Sequence, residues 1–581
     1  MKQALLPFQS PQAPFSSLYE PMQASNNFKV KPIILRDYRV HHLYENNLRK
    51  DHRNYSKALD SVQFQISRSK TSWRQGQTGP FSMSSVQNAK NLLKILEAQH
   101  PPQRLDCSFY DCSFFQKAYF FSKIRRFTSL LFLQLNFDFF SNQQQPSDIF
   151  TKWLYSLKSL SHFQIELHKL QFKTTKILHQ LFRCLFSLKK LTSLSLTFAS
   201  CQNFKSPQLH LLSSYLKKFT KLRALNLRLI SIKEIDEKSL ENLASSLSCL
   251  QGLTKISFHI RGKMPAMGYW LEKDVKFSSI LLKVFGSFQR MKSLSDLDLN
   301  FSNSRVTYDN NPVLIARGLF HLQQLPIRKL KLTPYEEFGN RDLRETIEIL
   351  KFYKCLTIVC FDLTACPHVT KNGLAELTLP LTELSSLSSL HFIPRHFYRS
   401  TEGIASAIKY LYNLVELKLG LSGKYASDDS QIEKFSSILK DLKSLKYLDL
   451  SFEGQESLSD RAMESLSQAL KDLVLLQKLK LAFENVPQLT NEGIKCLTDG
   501  IQKLKNLKDL SLFLWFHWQP DEKGVEIIGQ GLRCLPCLEV VHFEFHGNFR
   551  KVENKRNLLS LSRIIKEKKK NCQVFINPQS Y

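Results

Sequence analysis

The chain has 581 residues, 43% of them hydrophobic, which excludes wholesale disorder and allows about three or four ordinary domains or one long repetitive one. Lys and Arg number 81 against 51 Asp and Glu, a net of +30, so a polyanionic partner has to be weighed. Twelve cysteines are too sparse for a disulfide scaffold, and no apolar stretch approaches the roughly 20 residues that span a bilayer.

Pro7, Gln9 and Pro11 interrupt any apolar leader at the start of the chain, so the expected compartment is the cytoplasm, with the nucleus as the alternative. Residues 1–84 read as a basic, largely disordered N-terminal extension, rich in Pro, Gln, Ser and Asn early and in Arg, Lys, His and Tyr later. Residues 85–581 read as one repeat domain. Ser84 or Ser85 can cap a helix over 85–99 whose face is Val86, Ala89, Leu92, Leu93 and Leu96. That helix would cover the first strand, whose inward slots are Leu105, Cys107 and Phe109.

A pattern L-x-x-L-x-L-x-F then organises the chain. It is clearest at Leu445, Leu448, Leu450 and Phe452, and it returns at Leu476, Leu507 and Leu538 in steps of 31 residues. Upstream it starts at Leu130, Leu160, Leu191, Leu222, Leu253, Leu294, Ile327, Leu356, Leu387 and Leu414. The step after Leu253 is 41 residues, which puts about ten extra residues in the loop Arg261–Asp274 around Gly268, Tyr269 and Trp270. A capping strand at 571–577, with Cys572, Val574 and Ile576 inward, ends the register. The count is about sixteen strand-helix repeats.

The second half of each repeat has helical spacing. Ala462 or Met463, Leu466 and Leu470 recur at three to four residues, after Ser459 or Asp460 as N-cap. A single unit cannot bury both its strand face and its helix face, so units must stack. The strands together with helix starts such as LSDRAMESL at 458–466 and LTNEGIKCL at 489–497 resemble leucine-rich repeats of the ribonuclease-inhibitor type, found also in NOD-like receptors and Ran GTPase-activating protein. The resemblance covers roughly 102–576 and implies an α/β solenoid bent into a horseshoe, with a parallel sheet on its concave face. One departure stands out. Where that class carries Asn or Cys eight residues after the first Leu, this chain has Asp138, His168, Ala199, Ile230, Arg261, Ser302, Glu453, Glu484, Trp515 and His546. An apolar residue, often Phe, comes one place earlier, so packed rather than hydrogen-bonded loops are expected.

The charge is uneven along the chain: +8 over residues 1–98, +17 over 99–290, −2 over 291–548 and +7 over 549–581. The side chains expected on the concave face are nearly balanced. Acidic ones are Glu166, Asp296, Asp298, Asp362, Glu416, Asp449, Asp509 and Glu544; basic ones are Arg228, Lys255, Lys329, Lys331, Lys418, Lys478 and Lys480. A phosphate-binding groove needs a stripe of one sign, so this face points to a protein instead. Asp296 and Asp298 beside Lys329 and Lys331, and Asp449 beside Lys478 and Lys480, are expected to pair across strands.

Phe513, Trp515, Phe516, His517 and Trp518 form an aromatic cluster in which Phe513, Trp515 and Trp518 are candidate anchors. Lys566–Lys570 reads as a helix-end basic run, and the single CxxC, Cys534 to Cys537, as reduced thiols. No Walker loop, G-x-G-x-x-G, G-x-S-x-G or H-E-x-x-H occurs, and neither cofactor nor metal is expected. The expected function is a non-catalytic scaffold or receptor that binds protein through Asp296, Asp298, Lys329, Lys331, Glu416, Lys418, Asp449, Lys478, Lys480 and Asp509. Three alternatives stay open: a GTPase-activator-like regulator, a ubiquitin-ligase substrate receptor, and an RNA or anionic-membrane binder using residues 1–290 and 549–570. The near-neutral concave face disfavours the last.

Overall fold

Leucines two residues apart on an extended chain point to the same side, and here that side is the core. In the strand Tyr447–Ser451, Leu448 and Leu450 are fully buried while Tyr447, Asp449 and Ser451 face outward and remain partly exposed. The computed structural model describes residues 61–67, 82–83, 103–110, 121, 124–138, 153–172, 174–232, 235–261, 277–302, 313–394, 400–421, 428–452, 455, 457–484, 486, 488–515, 522–546, 560–567 and 572–579. They form an open α/β leucine-rich repeat solenoid around one parallel sheet of 18 strands.

From Arg104–Tyr110 to Gln573–Gln579 the sheet contains the sixteen strands that the leucine register anticipates. Neighbours pair position for position, as in Leu448 with Leu479 and Leu479 with Leu510. The sheet extends further at its start. Ser61–Ser67 pairs in parallel with Arg104–Tyr110, and Ser82–Met83 pairs with Ser61–Ser67 through Gln65 and Ser82. Both strands lie inside the stretch read as an extension from sequence. The proposed helix over 85–99 and the loop around Trp270 lie outside the described residues. At the other end Val574 and Ile576 pair with Val541 and Phe543 and pack against the core, beside buried Cys572.

Helices alternate with the strands on the opposite layer. Asp460–Asp472 turns Ala462, Met463, Leu466 and Leu470 into the core, and Ser459 caps it by accepting from the Arg461 N–H. Strands in a sheet sit about 4.8 Å apart, whereas packed helices need about 8–10 Å. A stack of identical units therefore bends with its sheet on the inside, which makes the outward sheet face concave.

Two devices replace the missing Asn ladder. Phe137, Phe198, Phe301, Phe452 and Phe483 occupy the position one place before it and are buried, and the Phe452 and Phe483 rings stack with centroids 5.1 Å apart. Backbone bonds then run to the next repeat, from Phe301 N–H to Thr333 C=O at 2.8 Å and from Phe452 N–H to Ala482 C=O at 2.7 Å. The expected packed loops are thus found. The second device joins helix starts: Asp429 accepts from the Ser459 N–H at 2.9 Å, Asp460 from the Thr490 N–H at 2.9 Å, and Asn340 from the Thr370 N–H at 2.7 Å. Each N-cap is held by the first residue of the preceding helix. Gly493 makes room for one rung, because a Cβ there would lie 2.2 Å from an Asp460 carboxylate oxygen.

Candidate interaction surface

Three outward positions per strand tile the concave face, and the fixed register lines them up in rows across the sheet. Outward side chains are mostly half-buried along the whole face, with Ser195, Thr197, Ser257 and His259 buried and Lys255 exposed. From the strand Asp296–Asn300 to the strand Asp509–Trp515 side chains of both charges recur along the face, and this stretch carries the candidate residues.

Its centre is Glu416. The carboxylate receives the Lys418 ammonium at 2.9 Å, the His391 Nε2 at 3.1 Å and the Ser389 hydroxyl at 2.9 Å. The register explains the convergence, because Ser389 lies opposite Glu416 and His391 opposite Lys418. Hydrogen bonding from His391, with Lys418 and Ser389, outweighs the opposing effect of burial and holds the Glu416 carboxyl down at about 2. In the next strand the Tyr447 ring lies under the Lys418 ammonium, 4.6 Å from its centroid. Burial, together with the nearby carboxylates of Asp449 and Glu416, pushes the Tyr447 phenol up to about 12, so it remains a hydrogen-bond donor at neutral pH.

The charge row continues in alternating sign. Asp449 takes Lys480 at 3.4 Å, and Asp509 takes Lys478 at 3.5 Å, so one of the two expected Asp449 contacts forms and the other lysine turns to the following strand. Lys480 also sits over the Phe513 ring at 5.3 Å, which places the half-buried Phe513 at the end of the row. Trp515 closes the same strand, while Trp518 lies outside the described residues.

Asp296 and Asp298 face Lys329 and Lys331 in the register as expected, yet their direct ion pairs go the other way. Asp296 pairs with Lys255 at 3.4 Å, and Asp298 approaches His259 at 3.2 Å and accepts from the Ser257 hydroxyl at 3.2 Å. Each aspartate lies between two strands and can reach either. Burial raises the Asp298 carboxyl, but hydrogen bonding and charge from His259, with Lys331 and Ser257, prevail and leave it below the ordinary value. Lys329 and Lys331 are then left presented to solvent from one strand, with Lys329 the more exposed.

Sequence reasoning over acids and bases alone missed His259 and His391. The signal was available: a histidine at an outward position, one strand from an Asp or Glu. The buried Cys360 is opposite Lys331, and burial pushes its thiol up, away from nucleophilic chemistry. Among the described residues no group of three or more His, Cys, Asp or Glu is placed to hold a metal. No described helix is long and apolar enough to cross a membrane.

No protein-family model matches the chain, and no curated protein matches it in sequence. Among solved structures, a chain in the crystal structure of the Rad7 and Elc1 complex in yeast is similar at 12% identity, covering 89% of this chain and 96% of its own, with a TM-score of 0.35. The leucine-rich repeat-containing protein LegL7 from Legionella pneumophila is similar at 13% identity, covering 56% of this chain and 94% of its own, with a TM-score of 0.32.

Proposed function

We propose that this chain is a non-catalytic interaction scaffold that binds a protein partner on the concave face between Asp296 and Asp509. The observation that carries the reading is the row of alternating charges centred on Glu416. Its groups are held by one another, partly exposed, and balanced in sign. Such a row offers donors and acceptors in a fixed pattern, which selects a complementary protein surface and repels mismatched ones. A polyanion gains little from it, because Lys418, Lys478 and Lys480 are each already opposed by a carboxylate. Phe513 supplies an apolar anchor at one end and Tyr447 one in the middle. Lys329 and Lys331 offer cations for acidic side chains of the partner.

The helical repeats and the LSDRAMESL-type helix starts support placement in the ribonuclease-inhibitor-like subclass, with the Phe row in place of its Asn ladder. The reading is of a protein working in the cytoplasm or nucleus, in keeping with cysteines that are free among the described residues. Quantitative affinity capture tests it, comparing the unmodified chain with a Glu416→Lys, Lys418→Glu, Asp449→Lys variant. Proteins specific to the unmodified chain should drop at least about tenfold with the variant. An identical captured set from both would remove the concave face as the binding site.

A further inference from the structure

The net charge of +30 has a location that the division along the chain conceals. In each repeat the helix ends, turns, and enters its strand through a short segment that includes the first leucine of the pattern. The residue after that leucine donates its N–H to the same position one repeat earlier: Lys446 to Val415, Gln477 to Lys446, Lys508 to Gln477, at 2.8 Å each. The same bond recurs at 2.7–2.9 Å from Leu131, which bonds Gln103, to Gln573, which bonds Glu539. One backbone ladder therefore aligns these segments along a single edge of the solenoid.

Taken from five residues before the first leucine to one after it, the fourteen segments from Leu130 to Leu538 hold 23 Lys and Arg and only 4 Asp and Glu. This edge alone accounts for +19 of the +30. The stretch 291–548 is near neutral as a whole but not at this edge, where it has 13 basic and 4 acidic residues. The compensating acids sit at the other end of the helices, in first turns such as Glu237, Asp342, Asp429, Asp460 and Glu492. Helix dipoles favour both placements and account for C-caps such as Lys217, Lys351 and Lys440. They do not account for Lys190, Lys221, Lys443, Lys446 and Lys508, which follow the helix by several residues and are exposed. Arg126 aside, Lys351 is the one member of the set with an ion pair among the described residues.

The same edge exposes apolar side chains. Of the eleven large hydrophobic residues exposed among the described residues, eight lie in these segments, among them Leu131, Phe186, Phe352, Tyr412, Val474 and Leu475. Val474 and Leu475 are 52% and 46% exposed, in a repeat flanked on one side by Lys440, Lys443 and Lys446 and on the other by Lys503, Lys505 and Lys508. Exposed apolar groups set among lysines match a bilayer interface, where lysines meet anionic headgroups and apolar side chains enter the acyl boundary. Single-stranded nucleic acid would use the aromatics for stacking, but Leu131, Val415, Val474 and Leu475 have no ring to stack.

We propose that this basic and apolar edge is a docking surface for an anionic membrane, separate from the concave face. The test uses the full chain with vesicles of phosphatidylcholine alone and with about 30% phosphatidylserine, and polyuridylate in parallel. Phosphatidylserine-dependent sedimentation that weakens with added salt is the expected result. A Lys443→Glu, Lys446→Glu, Lys503→Glu, Lys508→Glu variant should weaken it at least about 100-fold, and Val474→Ser with Leu475→Ser about tenfold. Lys329→Glu, exposed on the concave face, should leave it unchanged. Unaltered circular dichroism and melting temperature confirm that each variant is folded, as expected for exposed positions. The proposal is overturned by absent phosphatidylserine selectivity, or by binding that survives the four reversals. It is equally overturned if the chain retains polyuridylate but not vesicles, and the reversals abolish that retention.

Discussion

Glu416→Gln removes a charge while keeping the size and one acceptor oxygen, so it isolates what ionisation contributes. A carboxyl that titrates at about 2 folded, against an ordinary 4.5, stabilises the fold only when ionised. That contribution is complete above the unfolded value and disappears as pH falls through the folded one. At neutral pH the displacement corresponds to at most about 3 kcal/mol, and near pH 3 to about half of that. The side chain is 26% exposed, so little further allowance for solvent is needed. A long solenoid opens locally, and hydrogen exchange in the strands Ser389–Pro394 and Glu416–Gly420 reads the effect where it acts. After correction for intrinsic rates, the variant should exchange up to about 100-fold faster than the unmodified chain at pH 7, and about tenfold faster or less at pH 3. A difference that is equal at both pH values would refute the assignment of the low pKa to the His391, Lys418 and Ser389 contacts.

Further outcomes follow from the packing. Gly493→Ala gains about 1 kcal/mol of helix propensity but forces Asp460 off the Thr490 N-cap, so exchange at 488–498 should become faster, with Asp460→Ala alike; slower exchange would show that the rung carries no energy. Phe452→Ala should cost about 3–5 kcal/mol and lower the urea midpoint of the repeats from Leu445 to Leu514 before that of the repeats from Leu160 to Phe258. Alkylation of the native chain should modify exposed Cys249, Cys355, Cys534 and Cys537 and spare Cys201, whose thiol burial pushes up to about 12. Rapid labelling of Cys201 would contradict that burial.

The repeat architecture was legible because it is written in leucines whose spacing no other fold requires. The same register fixed which side chains face outward, and Glu416, Lys418, Asp449, Lys480 and Phe513 all stand where it put them. The strand Ser61–Ser67 was missed for lack of leucines, although Val62, Phe64 and Ile66 alternate with polar residues at strand period. Partner choice was not legible for Asp296 and Asp298. Register sets who is adjacent, but the direction in which a side chain leans depends on what Lys255, Ser257 and His259 offer from the other strand. The basic edge was readable in principle. It needed charges counted by repeat position instead of along the chain.

The central claim, that the concave face between Asp296 and Asp509 receives a protein, is tested most directly by site-specific photo-crosslinking in cells. A photoreactive phenylalanine analogue replaces Tyr447 or Phe513 on that face, or Gln468 on the exposed helix surface. A discrete crosslinked protein band is expected from Tyr447 and Phe513 and none from Gln468. A band from Gln468 with none from either concave position would contradict that claim.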